Sequence, residues 1–229
     1  DLTGDWSSDV CSSDLKLIRL GVENVHVQPL GVDLVTFTPT LRDPGLKAEL
    51  GLNEDTRLLI FAGRGSREKN LPVLLDCMKR LGADYHLLLV GSHMPDAVPD
   101  NVSVIGHFCP ASEIARLLAS ADALLHAGDQ ETFGLVILEA MASGIPVIAV
   151  AAGAFTEIVP ETCGLLCAPN NPLAMASAVR ELFSHDSAQK GDQARHYVEQ
   201  QYAWDTVVEG LLEHYQAVLG SRLPVLAHG

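Results

Sequence analysis

Apolar residues in this chain fall into short solid runs, separated by polar stretches in which apolar positions return every three or four residues. LLIFAG (58 to 63), HLLLVG (86 to 91), VSVIG (102 to 106), ALLHA (123 to 127), PVIAV (146 to 150) and CGLLCA (163 to 168) are the runs. They are too short for helices and apolar on both faces, which predicts strands of a parallel sheet covered on each side. EKNLPVLLDCMKRL (68 to 81) and SEIARLLASA (112 to 121) carry a helical period, the first placing Leu71, Leu74, Leu75, Met78 and Leu81 on one face. Helices are also predicted over 172 to 183, 187 to 202 and 203 to 220. The last bears an apolar stripe of Trp204, Val207, Val208, Leu211, Leu212, Tyr215 and Leu219. Alternating strands and helices with short loops define an α/β, doubly wound parallel sheet with C-terminal helices, in which ligands sit at the carboxyl ends of the strands.

One segment joins that pattern to chemistry. ETFGLVILEAMASGIP, Glu131 to Pro146, places two glutamates eight positions apart around a Phe-Gly at the start of a short helix. Thr132 is read as the cap, Gly134 as a place where a ligand approaches the backbone, and Gly144 with Pro146 as the stop after roughly three turns. The first turn of such a helix, at Leu135 and Val136, offers unpaired N–H groups and a partial positive charge to a phosphate. Glu139 stands about 7.5 Å further along the axis, where a ribose rather than the same phosphate is within reach. Glu131 precedes the helix and suits a second polyol. Two solvated glutamates on a surface helix are the plainer alternative.

Composition narrows the field. DWSSDVCSSDL, Asp5 to Leu15, resembles the in-frame translation of a sequencing adapter, so residues 1–15 are expected to be an unstructured cloning or assembly scar. Setting them aside removes four acids and no base from a formal charge of −14, leaving −10. An acidic chain argues against nucleic acid as partner and lacks a polybasic membrane patch. No run of eighteen apolar residues occurs. Cys77, Cys109, Cys163 and Cys167 are expected to be buried reduced thiols, and no His-x3-His or His-Glu-x-x-His pattern is present, so no protein-built metal site is expected.

The segment from Glu131 to Pro146, with its trailing LEAMASGIPVIA, resembles the Glu-x7-Glu signature of retaining glycosyltransferases of the GT-B fold in glycosyltransferase family 4. Two further motifs are similar to the same family. VQPLGVDLVTFTP (27 to 39) matches its Pro-x-Gly-Val-Asp-x-x-x-Phe interdomain linker, and FAGRGSREKN (61 to 70) its Gly-Arg…Glu-Lys segment. A dinucleotide fingerprint over Gly63 and Gly65 fails, since Glu68 occupies the third glycine position and no acid ends the second strand. The resemblance implies the Rossmann-like C-terminal, donor-binding half of the enzyme. It divides the chain into an artefact (1–15), a remnant and linker (16–45), a nucleotide-sugar-binding domain (46–220) and a tail (221–229). The N-terminal acceptor domain is expected to be missing.

The implied roles follow residue by residue. Arg64 and Lys69 hold the diphosphate and, with Glu131 on the transferred sugar, make the catalytic set. Gly63, Gly91, His107, Phe133, Gly134, Leu135, Val136 and Glu139 make the donor-binding set, with Gly91 and the Gly106 to Phe108 turn near the base. For His107 an ordinary loop histidine is the favoured reading over a contact to the base. Asp129 is read as solvated or capping, and Gly65, in place of the commoner Leu or Phe, as loosening its loop. No cofactor or metal is required; the donor is a UDP- or GDP-linked sugar, the acceptor an unknown glycan or lipid. The resemblance implies a cytoplasmic protein, with a peripheral place at the inner membrane face left open. A nucleotide-binding fragment without turnover stays the alternative. A signalling receiver would require acids at the strand ends where Arg64 and Lys69 stand.

Overall fold

The computed structural model describes residues 20–22, 25, 28–131 and 133–222. The expected scar at 1–15, the end of the expected tail (223–229), Val27 and the expected cap Thr132 lie outside the described residues. Six strands form one parallel sheet: β1 (Arg57–Ala62), β2 (Tyr85–Val90), β3 (Val102–Ile105), β4 (Ala123–His126), β5 (Val147–Val150) and β6 (Gly164–Cys167). Their order is β3-β2-β1-β4-β5-β6, with Ile60 paired to Leu88 on one side and Leu124 on the other. Leu58, Leu59, Ile60 and Phe61 are wholly inaccessible, as are Leu87 to Val90 and Val147 to Val150. That burial on both faces is why these strands read as solid apolar runs rather than alternations.

The helices are α1 (Leu46–Glu49), α2 (Leu71–Leu81), α3 (Ala111–Ser120), α4 (Leu135–Ala142), α5 (Phe155–Ile158), α6 (Pro172–Ser184), α7 (Ser187–Gln201) and α8 (Trp204–Arg222). On the sheet, α2 packs against α6, while α4 packs against α3 and α7. The helix expected over 68–81 is broken near its start. Arg67–Lys69 form a 3-10 turn, Asn70 takes a left-handed φ of 52°, and α2 begins at Leu71 with Pro72 in its first turn. Proline there loses no hydrogen bond, and its ring disfavours helical backbone just before it. Cys77 joins the buried face of α2, whereas Leu75 is only half-buried. The helix expected to run roughly three turns toward Gly144 is the eight-residue α4, about two turns long. The four-residue α1 and α5 carry too little periodicity to be read from sequence.

The segment before the sheet is tied down. Asp33 accepts from the Thr36 hydroxyl and from the backbone N–H of Thr36 and Val35, both at 3.0 Å, and these bonds, the hydroxyl's foremost, hold its carboxyl below the usual range. Val32 and Phe37 are buried in the same core as the sheet. Val32 also donates to the Tyr202 carbonyl at 2.9 Å and bridges Ala203, while a Cβ on Gly31 would lie 2.5 Å from the Trp204 ring. On α8, Val207 is buried and Leu211 half-buried, but Trp204, Val208, Leu212, Tyr215 and Leu219 are exposed. Cys77, Cys109, Cys163 and Cys167 are buried free thiols, with burial pushing Cys77 up to about 12 and Cys167 up to about 11. No helix among the described residues is long and apolar enough to cross a membrane.

Candidate functional site

The winding of the sheet reverses between β1 and β4, so the loops leaving their carboxyl ends diverge and open a crevice. Three loops meet there: 63–70 after β1, 127–134 after β4 and 151–154 after β5. Glycines let them approach. Gly63 donates to the Val90 carbonyl at 2.9 Å and Gly91 to that of Ile105 at 2.9 Å, extending the ladder past the strands. Gly91 has φ 135°, and a Cβ there would lie 2.0 Å from the Gly63 carbonyl oxygen. Gly65 donates to Ser92 at 2.8 Å, and its Cβ would lie 2.1 Å from the His93 oxygen. The expectation that Gly65 loosens the loop is therefore overturned, since it permits a close backbone contact that anchors it. Gly128 packs on the Glu68 and Lys69 backbone, and Gly153 on that of Glu131, whose carbonyl accepts from Ala154 at 3.2 Å.

At this junction Lys69 Nζ meets Glu131 Oε2 in an ion pair, each side chain 19% exposed. The two groups were expected separately, one for phosphate and one for sugar. The structure places them on each other, so Lys69 presents its charge beside a carboxylate already neutralised in part. Beneath them lies His126, a residue not assigned to the site from sequence because a histidine ending an apolar strand reads as core. Its Nδ1 accepts from the Gly128 N–H at 3.1 Å, which leaves the ring proton on Nε2, 3.7 Å from Glu131 Oε2. Burial, followed by the Lys69 charge, pushes its pKa down to about 3. The neutral ring is held by Phe61 and Phe155, with centroids 5.4 and 4.9 Å away.

Arg64 stands outside this cluster. Its side chain is 67% exposed and its guanidinium lies 3.9 Å from Glu68, whose carboxyl is held below the usual range first by a hydrogen bond from Ser66. Asp129 accepts from the Asn170 side chain at 3.2 Å, and Asn170 in turn accepts from Asn70 at 2.5 Å, so the residue links loops instead of capping a helix.

Helix α4 starts with Gly134 at φ 64°, without a side-chain cap. A Cβ on Gly134 would lie 2.4 Å from Ile158 Cδ1, so its smoothness serves internal packing rather than ligand approach on that side. The amides of Ile137 and Leu138 are satisfied by the Gly134 carbonyl, whereas those of Leu135 and Val136 have no partner among the described residues. Phe133 and Leu135 are exposed beside them.

Glu139, one turn on, is half-buried with no partner for its carboxyl among the described residues, and burial pushes it up from about 4.5 to about 7. A raised carboxyl pKa means that the folded state keeps a proton the unfolded chain has released. Stability is then full below about pH 4.5 and is lost as pH rises toward 7. Glu139→Gln should therefore raise the unfolding midpoint at pH 8 by about 5 °C, for about 2 kcal/mol, and leave it unchanged at pH 4. Calorimetry at the two pH values checks this; an equal shift at both would assign the effect to packing.

His107 lies away from the pair, beyond β3, exposed between Gly106 and the 84%-exposed Phe108. There its ring is close to Cys109 and Glu113. A cavity of about 490 Å³ beside β6, lined by Val159, Leu165, Leu182 and His185, includes none of the residues assigned above.

The fold and the switch-point crevice are those of one half of a GT-B glycosyltransferase. The chain superposes on Anabaena HepE in complex with UDP and glucose with a TM-score of 0.78 at 22% identity, over 92% of this chain and 62% of that one. The chain belongs to the group 1 glycosyl transferases, whose family model matches residues 44–204. It is 31% identical over 223 residues to the D-inositol 3-phosphate glycosyltransferase of Xylanimonas cellulosilytica, covering 88% of this chain and 53% of the relative. It is 33% identical over 203 residues to a GDP-mannose-dependent alpha-(1-6)-phosphatidylinositol dimannoside mannosyltransferase of Mycobacterium tuberculosis, covering 85% and 52%. The chain thus spans about half the length of the curated relatives it matches.

Proposed function

We propose that these residues are the donor-binding half of a retaining hexosyltransferase that uses a nucleotide diphosphate sugar, UDP- or GDP-linked, and passes the hexose to a hydroxyl of a glycan or lipid acceptor. The Lys69 and Glu131 pair at the switch point, next to the α4 amides that have no partner among the described residues, carries the reading. A diphosphate accepts from Leu135 and Val136 and draws Lys69 and the exposed Arg64 onto its oxygens. Glu139, half-buried and without a carboxyl partner among the described residues, accepts the ribose hydroxyls. Glu131, steadied by Lys69 and the His126 Nε2 proton, takes the hydroxyls of the transferred hexose.

In the reaction the acceptor oxygen bonds to the anomeric carbon on the face the phosphate leaves. The carbon–phosphate oxygen bond breaks, and the acceptor proton passes to the departing phosphate. Fixed cations and amides stabilise the charge that grows on the diphosphate, and they do so most strongly where water is excluded. The need for a metal is met by Lys69, Arg64 and the helix dipole. Acceptor recognition falls to residues outside this chain, in a cytoplasmic enzyme. The coverage of about half of each relative also supports a second reading, a domain that binds nucleotide without turnover by itself.

Calorimetric titration with UDP, GDP, ADP and the matching nucleosides tests the reading. One uridine or guanosine diphosphate should bind in the micromolar range, and silence at millimolar concentration for all three would sink it. Arg64→Ala, at an exposed position, should weaken the diphosphate by about five- to tenfold and leave the nucleoside unchanged, because one charged hydrogen bond to phosphate is lost.

A further inference from the structure

Between β3 and α3 the chain collects three metal-binding groups, of which the donor set expected from sequence includes only His107. His107 sits on the exposed loop, Cys109 is buried one residue further along beyond Phe108, and Glu113 is half-buried in the first turn of α3. Their ligand atoms all lie within 4.8 Å of one another. Pro110 begins the helix without capping it, so the loop delivers Cys109 and Glu113 to the same side of the turn.

Within this cluster the Cys109 thiol lies in side-chain hydrogen-bond reach of the Glu113 carboxylate and makes a weak contact to the His107 carbonyl at 3.9 Å.

We propose that His107, Cys109 and Glu113 form a site for a zinc-class divalent cation, with a fourth position open to water. One thiolate, one imidazole and one carboxylate are the donor mixture that Zn²⁺ and Co²⁺ accept in tetrahedral geometry, whereas Mg²⁺ and Ca²⁺ demand oxygen. Ligand atoms around such an ion lie about 3.3 to 3.8 Å apart, from bond lengths near 2.0 to 2.3 Å. Closing the cluster therefore needs a contraction of about 1 Å, which rotation of the exposed His107 and half-exposed Glu113 side chains supplies. Cys109, buried, stays as the fixed point. The cation releases the thiol proton and joins the loop after β3 to α3. The site does not include the Lys69 and Glu131 pair, and His107 is the one residue it shares with the donor set expected from sequence. The His-x-Cys-x3-Glu spacing matches none of the familiar zinc patterns, which is why sequence inspection passed over it.

Titration of the whole chain with Co²⁺, followed by absorption, tests the proposal. A near-ultraviolet thiolate-to-cobalt band should appear at one equivalent and be bleached by Zn²⁺. Cys109→Ser should abolish the band, and Cys163→Ser, at a thiol remote from the cluster in sequence, should leave it intact. His107→Ala and Glu113→Gln, at positions where the fold tolerates change, should each weaken Zn²⁺ binding at least about tenfold. No band at millimolar Co²⁺, a band that survives in Cys109→Ser, or unchanged Zn²⁺ affinity in both His107→Ala and Glu113→Gln overturns it.

Discussion

Alanine at Gly91 lowers the thermal unfolding midpoint by about 10 °C or more, the largest stability effect expected of any single methyl added near the site. Gly91 has φ 135°, a region costly to any residue with a Cβ, and that Cβ would lie 2.0 Å from the Gly63 carbonyl oxygen. Backbone strain of about 1 to 3 kcal/mol adds to an overlap that side-chain rotation cannot relieve, because both partners are main chain. A total of about 3 to 5 kcal/mol follows, with each kcal/mol worth about 2 to 4 °C in a domain of this size. Gly82 supplies the control. It has φ 83° but nothing within 4 Å of its Cβ position, so Gly82→Ala carries the backbone cost alone, about 1 kcal/mol. Thermal denaturation of both variants decides the matter; equal losses would show that the loop contact at the switch point contributes nothing.

Removing the Lys69 ammonium should have the largest effect on ligand binding. On the proposed donor reading, Lys69→Ala takes away a charge that draws the diphosphate and leaves Glu131, 19% exposed, without its ammonium partner. Loss of a charged hydrogen bond worth about 1.5 to 3 kcal/mol combines with new repulsion, so UDP or GDP affinity should fall at least about 100-fold. Arg64→Ala should cost far less, since that guanidinium is largely solvated. The double variant Lys69→Ala/Glu131→Gln separates the two contributions, because it deletes the repelling carboxylate and should recover part of the affinity. Calorimetry on the single and double variants gives the coupling directly, and affinities that simply add would mean that the pair does not act as a unit.

The sheet was legible because burial on both faces gives the central strands β1, β2, β4 and β5 dense apolar runs, while the edge strands β3 and β6 are only partly buried, and every expected strand lies within a residue of the observed one. Helix α2 was legible in its body and not at its start, since the left-handed Asn70 leaves no signature beyond the Pro72 that follows. The pair of Lys69 with Glu131 spans 62 positions, and sequence could propose each residue's partner only as a ligand, never as the other. Gly65 was misjudged for a related reason. A glycine announces that something approaches closely, but only the fold reveals that at Gly65 it is the His93 backbone. His126 was missed because its neutral buried ring is indistinguishable in sequence from a core residue until Glu131 is seen 3.7 Å away.

The union of Val32 with Ala203, reinforced by Gln28 Nε2 on the Val207 carbonyl at 3.1 Å and by Arg195 spanning Phe37 and Ala142, brings the entering and leaving strands of chain to one exit. Tension applied between the ends of the described chain is then carried by this small clasp and not by the sheet.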